Sequence, residues 1–380
     1  MSEAVKIAEQ LADEFRFSAA EYDRTGEFPA ANYARMRETG YLRAPVPAEL
    51  GGLGAGLADM AHAQQALARG CASTALAVNM HLFQVGTTAD AWRNKMPVEA
   101  LLKRIVDEGI VIASNGAESI VAGDWTTATT AERRNGGYVV NGRKFFCSQA
   151  TGMDILRFFA QDTETGELLI IGTSAKAEGL KVVETWDTTG MRATASHDIV
   201  IEDLQVPETA IGARLPAGSP ARTPALANVG RWFLPLAASV YLGIAEEARA
   251  EAYKAIGGGI NSAHRDEVLT NVLIGQMEAE FLIARSVRDQ AAMELDRPPA
   301  DAQAGLALAI LCKETVTSHA IATVEKAVEI AGGRAYFRKS PLERLARDVR
   351  AARFHPPASP VSFQMAGERM RAGSATPVAV

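Results

Sequence analysis

A block of β-prone sequence, residues 109–214, interrupts a chain that otherwise reads as helix. Within it, Tyr138-Val139-Val140, Asn141-Gly142 and Arg143-Lys144-Phe145-Phe146 predict a hairpin, because an Asn-Gly pair suits the positive φ angles of a two-residue type I′ turn. Leu168-Leu169-Ile170-Ile171 reads as a buried strand, and His197 to Val206, stopped by Pro207, reads as another. Short strands separated by turns point to a small β-sandwich or barrel. At 380 residues the chain is long enough for two or three packed layers or domains.

Ala, Leu, Glu and Arg dominate residues 1–108 and favour helix. Ser18-Ala19-Ala20-Glu21 is a candidate capping box. The breaker-rich stretch Ala44 to Gly54 separates two helical runs, and the small apolar run Gly70 to Val78 predicts a closely packed, buried helix. Pro216 to Pro224 reads as a linker. Three long helices are expected after it, at Trp232–Ile256, Asp266–Leu295 and Asp301–Ile330. Ser340-Pro341-Leu342-Glu343 opens another, with Ser at the cap, Pro in the first turn and Glu at the third position. That helix should stop near Phe354, because a residue before proline avoids the α region. His355 and Pro356 then lie at a helix end. The expected class is α+β, mostly α: an N-terminal helical domain (1–108), a central β domain (109–214) and a C-terminal four-helix bundle (215–380).

A formal net charge of −6 argues against nucleic acid as a partner. No apolar run is long enough to span a membrane, and Met1 to Lys6 lacks the apolar core of a secretion signal. Cys71, Cys147 and Cys312 are too few and scattered for a disulfide framework. A soluble cytoplasmic protein without a metal site is expected.

Several segments, taken in order, resemble acyl-CoA dehydrogenases. Ala113 to Ser119 loosely resembles the family's Thr-Glu-Pro-Gly-x-Gly-Ser loop, with Gly116 and Ser119 at matching places and the proline missing. Tyr138 to Ala150 resembles the strand pair that carries an aromatic residue and a hydroxyl to the flavin; Phe146 and Ser148 occupy those positions. Gly190, Arg192, Thr194 and Val206-Pro207 match a Gly-x-Arg-x-Ser/Thr segment that packs near the flavin. Gly332-Gly333 matches a turn that approaches the cofactor of a neighbouring subunit, and Arg344, Arg347 and Asp348 match an Arg-x-x-Arg-Asp pattern. The resemblance implies an FAD-dependent oxidoreductase, a homo-oligomer (tetramer or dimer), an acyl-CoA or other small organic substrate, and an electron acceptor or reductase partner.

Many members of that family carry a catalytic glutamate eight residues after the aspartate of the Arg-Asp pair. Here that place is Pro356. The other location used in the family, on the first helix of the C-terminal bundle, corresponds to Gly230 to Ala238, which holds no carboxylate. Histidine can exchange protons near neutral pH, so His355 and His81 become the candidate catalytic residues. The first expectation is α,β-dehydrogenation of an acyl-CoA with an atypical base. His355-Pro356 and Ser148 also resemble flavin-dependent monooxygenases of the same fold, related to dibenzothiophene monooxygenase, which use reduced flavin and oxygen. A catalytically silent flavoprotein is the third reading.

Overall fold

The computed structural model describes residues 1–115, 127–217, 224–257 and 268–371. Among these, six α-helices precede the strands: α1 (Glu3–Phe15), α2 (Ala19–Thr25), α3 (Ala30–Glu38), α4 (Leu57–Gly70), α5 (Ala72–Arg93) and α6 (Glu99–Asp107). Five follow: α7 (Pro224–Gly257), α8 (Val268–Leu295), α9 (Ala302–Ala331), α10 (Pro341–Asp348) and α11 (Ser359–Arg371). Helix gives way to strand between Asp107 and Ile112, and strand to helix between Leu215 and Pro224. No helix among the described residues is long and apolar enough to cross a membrane.

The two helical blocks share one core. Leu11, Phe15, Met60 and Leu67 from the first pack in the same cluster as Tyr241, Leu242, Phe281 and Val316 from the second. Helix α7 is the hub, packing on α4, α5, α8 and α9. Glycine permits the closest approaches. A Cβ at Gly86 of α5 would lie 2.5 Å from the Trp232 ring of α7, and one at Gly243 of α7 would lie 2.3 Å from the Gln65 carbonyl of α4. A buried carboxylate also ties α5 to α7. Asp90 accepts from Trp232 Nε1 at 2.7 Å and pairs with the Arg231 guanidinium, which is only 2% exposed.

Eight strands lie between the helical blocks: β1 (Ile112–Asn115), β2 (Thr130–Arg134), β3 (Gly137–Cys147), β4 (Ile155–Asp162), β5 (Leu168–Ser174), β6 (Leu180–Val183), β7 (His197–Pro207) and β8 (Ile211–Leu215). They join in the order β6-β7-β3-β2-β4-β5-β8, with β1 parallel to β4. Strand pairing joins the halves at the short parallel stretch of Thr130 and Ala131 with Gln161 and Asp162. Val140, Ile199 and Ile201 from one half and Leu156, Phe158 and Ile171 from the other form a single core.

The hairpin turn is not where the first reading put it. Asn135 (φ 51°) and Gly136 (φ 78°) make the turn, linking β2 to β3. Asn141-Gly142 lies inside β3, at a register shift against β7. There Asn141 Oδ1 accepts the Asp203 N–H at 2.8 Å, and a Cβ at Gly142 would lie 2.3 Å from Thr129 Oγ1. This second Asn-Gly pair therefore serves a bulge and a close contact. The Ser18 capping box does not form either: Ser18 Oγ donates to Phe15 O at 3.2 Å, closing the preceding helix. After α10, a 3₁₀ stretch, Val349–Phe354, carries the chain to His355, which is extended (φ −74°, ψ 135°) as the following proline requires.

Candidate active site

Non-glycine residues with positive φ concentrate in two touching segments: Phe146 (58°) and Gln149 (57°) at the end of β3 and just beyond it, and Met191 (53°) and Ala195 (45°) before β7. Such conformations cost about 1–3 kcal/mol each and persist where surrounding contacts over-determine them. The contacts are present. Gln149 N–H donates to Thr194 O at 2.8 Å and Ala150 N–H to Ala195 O at 3.2 Å. The buried Gln149 side chain accepts from Tyr33 Oη at 2.5 Å and donates to Ile112 O at 2.8 Å. Asp348 Oδ1 accepts the Met191 N–H at 2.6 Å, and Trp186 Nε1 donates to Met191 O at 3.0 Å.

On this frame Phe146 is 59% exposed and stands edge-on to Trp186, their ring centroids 6.0 Å apart. Ser148, two residues on, is half-buried. Its Oγ lies 2.9 Å from Ser196 Oγ, which lies 2.7 Å from Thr194 Oγ1, which donates to Met191 O at 3.0 Å. Thr194, expected beside the cofactor, is thus buried within a hydroxyl chain.

Arg192 is engaged by the protein itself. Its Nε donates to Asp23 O at 2.8 Å and its Nη1 to Thr188 O at 2.7 Å, so it braces the 187–194 loop against α2. Arg347 reinforces the brace, gripping the Asp23 carboxylate at 2.9 and 2.6 Å and Thr189 O at 2.7 Å. Burial pushes the Asp348 carboxyl up to about 6, against the lowering effect of the Met191 N–H. The Arg-Asp pair is therefore a clamp on the site's backbone.

The two histidines have different fates. His81, fully buried on α5, has both ring nitrogens engaged: Nδ1 accepts the Ile112 N–H at 3.1 Å, and Nε2–H donates to Leu42 O at 2.8 Å. It is a cross-tie between α5, β1 and the loop at Leu42, with no nitrogen left for a substrate. Burial depresses its pKa to about 4. A histidine pKa depressed below its ordinary 6.5 contributes stability that is present above pH 6.5 and lost as pH falls through 4. His81→Gln retains a donor and an acceptor but cannot titrate. The expected result in denaturant titrations is a loss of up to about 3 kcal/mol of the acid-induced destabilisation between pH 6.5 and 4, since each pKa unit is worth about 1.4 kcal/mol.

His355 is half-buried, with Nε2 against the hydroxyl of Tyr241 on α7 and the Phe233 ring edge-on at 6.3 Å. Tyr241 is fully buried, and burial raises its phenol well above the usual range. Among the described residues this hydroxyl has one partner, so its proton points at Nε2 and His355 carries its own proton on Nδ1. Loss of hydration, with the nearby Lys313 ammonium, lowers the imidazole pKa to about 4 and keeps it neutral. The segment beyond is pinned: Lys313 Nζ donates to Pro357 O at 2.8 Å and pairs with Glu314, whose carboxylate accepts from Ser359 Oγ at 2.7 Å.

Gly116 and Ser119 lie outside the described residues. Gly332 and Gly333 sit at the exposed end of α9 with no atom within 4 Å of a Cβ at either, beside the exposed Tyr336 and Phe337. Within one chain they border open space. Two participants escaped the sequence reading. Ser196 follows Thr194 by two residues but carries no motif of its own. Tyr241 looks like any aromatic on an apolar helix. Asp348 was named by its motif, but its burial, at 2% exposed, is a property of the fold.

Models of the acyl-CoA dehydrogenase N-terminal, middle and C-terminal domains match residues 4–108, 113–204 and 236–360. The chain is 33% identical over 362 residues to an unconfirmed acyl-CoA dehydrogenase, YdbM of Bacillus subtilis (strain 168), covering 92% of this chain and 91% of that one. It is 32% identical over 359 residues to the amino sugar nitrososynthase DnmZ of Streptomyces peucetius, covering 88% of this chain and 84% of DnmZ. Among solved structures it superimposes on KijD3 in complex with FMN and dTDP-3-amino-2,3,6-trideoxy-4-keto-3-methyl-D-glucose with a TM-score of 0.88 at 27% identity, covering 97% of this chain and 93% of KijD3. With helical blocks around a central sheet, a strained Phe146–Ser148 segment and an Arg-Asp clamp in the expected order, the chain belongs to the acyl-CoA dehydrogenase family.

Proposed function

We propose that this protein is a flavin-dependent monooxygenase that oxygenates the nitrogen of a small primary amine, using reduced FMN supplied by a separate reductase. One observation carries the reading: proline occupies the usual base position, and the titratable group beside it is a neutral histidine, His355, held by Tyr241. Removing the α-proton of a thioester calls for a base of higher proton affinity than an imidazole with a pKa near 4. The same imidazole, with its proton on Nδ1, can donate a hydrogen bond there. The likeness to DnmZ and KijD3 supports an amine substrate, and the flavin of the KijD3 complex favours FMN over the FAD expected from the family at large.

The residues present suit a flavin. Phe146 and Trp186 offer an exposed aromatic surface to a flat ring, and Ser148 offers a hydroxyl whose protein partners are already satisfied on one side. When bound in its reduced form, the cofactor supplies two electrons and activates oxygen, so that one oxygen atom joins the amine nitrogen and the other leaves as water. In this scheme the Phe146–Trp186 surface would seat the ring, Ser148 would orient its edge, and the His355 Nδ1–H would offer a hydrogen bond to the departing oxygen. The exposed Gly332–Phe337 turn is the surface we assign to a second copy of the chain in a homo-oligomer.

The reading is tested by supplying purified protein with reduced FMN, oxygen and a panel of primary amines, amino sugars included, and following products by mass spectrometry. A product heavier by one oxygen, formed only with enzyme and reduced FMN, is the expected result. Bleaching of protein-bound oxidised flavin by an acyl-CoA under anaerobic conditions, without amine oxygenation, would overturn it in favour of dehydrogenation.

A further inference from the structure

Arg157, on β4, is a half-buried cation whose neighbours on the sheet and partners on α5 are all neutral. Across the sheet it pairs with Ser114 of β1 and Gly172 of β5, and its same-face neighbours along β4 are Ile155 and Phe159. Its Nη1 donates to Gln84 Oε1 at 2.8 Å and to Thr88 Oγ1 at 3.3 Å. Both acceptors are held in place. Thr88 gives its own proton to Gln84 O at 2.7 Å, and Gln84 Nε2 donates to Ser114 Oγ at 2.9 Å. Arg157 forms no ion pair among the described residues, and burial lowers its pKa with no carboxylate acting against the shift. A guanidinium stays charged all the same, and a charge withdrawn from water is costly to fold around unless something pairs it.

The two bonds from Nη1 use both of its hydrogens. The remaining N–H groups, on Nε and Nη2, have no partner among the described residues and keep contact with solvent-accessible space. These two nitrogens form one edge of the planar fork, the edge that takes two oxygens of a carboxylate or phosphate in parallel bonds. Gly172 leaves the stem uncrowded, since a Cβ there would lie 3.8 Å from Arg157 Cγ. We infer that the Nε–Nη2 edge of Arg157 binds an anionic group, a phosphate or carboxylate, carried by the substrate. Its supports connect it to both sides of the candidate site. Phe83, next to Gln84, packs on Phe233 with ring centroids 5.4 Å apart, and Phe233 stands edge-on to His355. Ser114 is followed by Asn115, whose Nδ2 donates to Phe145 O at 2.9 Å, beside Phe146. The substrate that fits is an amine that also bears a negative group, as an amino acid or a phosphorylated amino sugar does. Only the amine half of that description rests on the function proposed above; the anion site stands without it.

Calorimetric titration of the purified full-length protein with inorganic pyrophosphate, at fixed ionic strength, reads the site without turnover. The unaltered protein is expected to bind. Arg157→Gln should weaken binding by about ten-fold or more, the scale of charge-assisted hydrogen bonds lost. Gln84→Glu keeps the arginine, sets a carboxylate against Nη1 and should weaken binding as much, without lowering the thermal midpoint, because it supplies the missing counter-ion. No pyrophosphate binding by the unaltered protein, or equal affinities in all three proteins, would overturn the inference. Two further readouts identify what carries the anion. Pyrophosphate should compete with the amine in the oxygenation assay, and Arg157→Gln should bind FMN and riboflavin as the unaltered protein does. A loss of FMN affinity with riboflavin unaffected would assign the anion to the cofactor's phosphate and overturn the assignment to the substrate. Arg157-dependent pyrophosphate binding by a protein that oxygenates no amine would uphold the anion site and overturn the amine reading.

Discussion

Replacing Asp90 with alanine is expected to remove about 3–5 kcal/mol of folding stability, the largest effect of any single change considered for this fold. The carboxylate is 6% exposed and satisfies the Arg231 guanidinium, Trp232 Nε1 at 2.7 Å and Arg93 at 3.2 Å. Removing it leaves the Arg231 charge buried beside an unpaired indole N–H at the seam between α5 and α7. Leaving one partner behind is what makes the change severe: a buried pair adds little over a well-packed apolar substitute, but an orphaned charge is costly. Asp90→Ala combined with Arg231→Met should therefore recover much of the loss, and the coupling energy from that double-mutant cycle is the diagnostic quantity. A loss below about 1 kcal/mol for Asp90→Ala in urea unfolding, the scale of an exposed ion pair, would show that the seam does not depend on it.

His355→Ala should leave the fold intact and lower the rate of amine oxygenation by about 10²–10³-fold, the usual cost of removing one hydrogen-bond donor to an oxygen that gains charge. Tyr241→Phe keeps the ring but drops the hydroxyl that fixes the imidazole tautomer. A loss of about ten-fold is expected there, the scale of one misdirected hydrogen bond. Reduced FMN that is oxidised without product, releasing hydrogen peroxide, should account for the missing turnover in both variants. Product formation by His355→Ala within three-fold of the unaltered protein would remove His355 from the mechanism.

How far the sequence could be read depended on how local each signal was. The order of helical block, strands and helical block was legible because helical composition and β-prone runs alternate over long stretches. α7, α8 and α9 lie where the long helical runs placed them. Turn chemistry was less reliable. Two Asn-Gly pairs lie six residues apart, and only the pairing of β3 with β7 across Asn141-Gly142 shows which pair turns. The candidate site divided the same way. Phe146 and Ser148 were named through the family resemblance, and His355 as a histidine beside the family's base position. His81 was named as a histidine following an apolar helical run, and its engagement with Leu42 O and the Ile112 N–H depends on segments 39 and 31 residues away. Ser196, Tyr241 and the burial of Asp348 are tertiary facts, since a hydroxyl or carboxylate acquires its role only from what folds against it.

The shared helical core also bears on how the chain is made. Helices α1 to α6 leave the ribosome first, but their apolar faces are completed by α7 and α9, which follow only after the whole strand block. Until then Leu11, Met60 and Leu67 lack most of their final neighbours. The chain must close a loop of well over a hundred residues before its centre is dry, a contact pattern associated with slow folding and aggregation-prone intermediates. A fragment ending after β8 should therefore be captured by chaperones during synthesis and fail to accumulate as a folded protein, even though its strands have a core of their own.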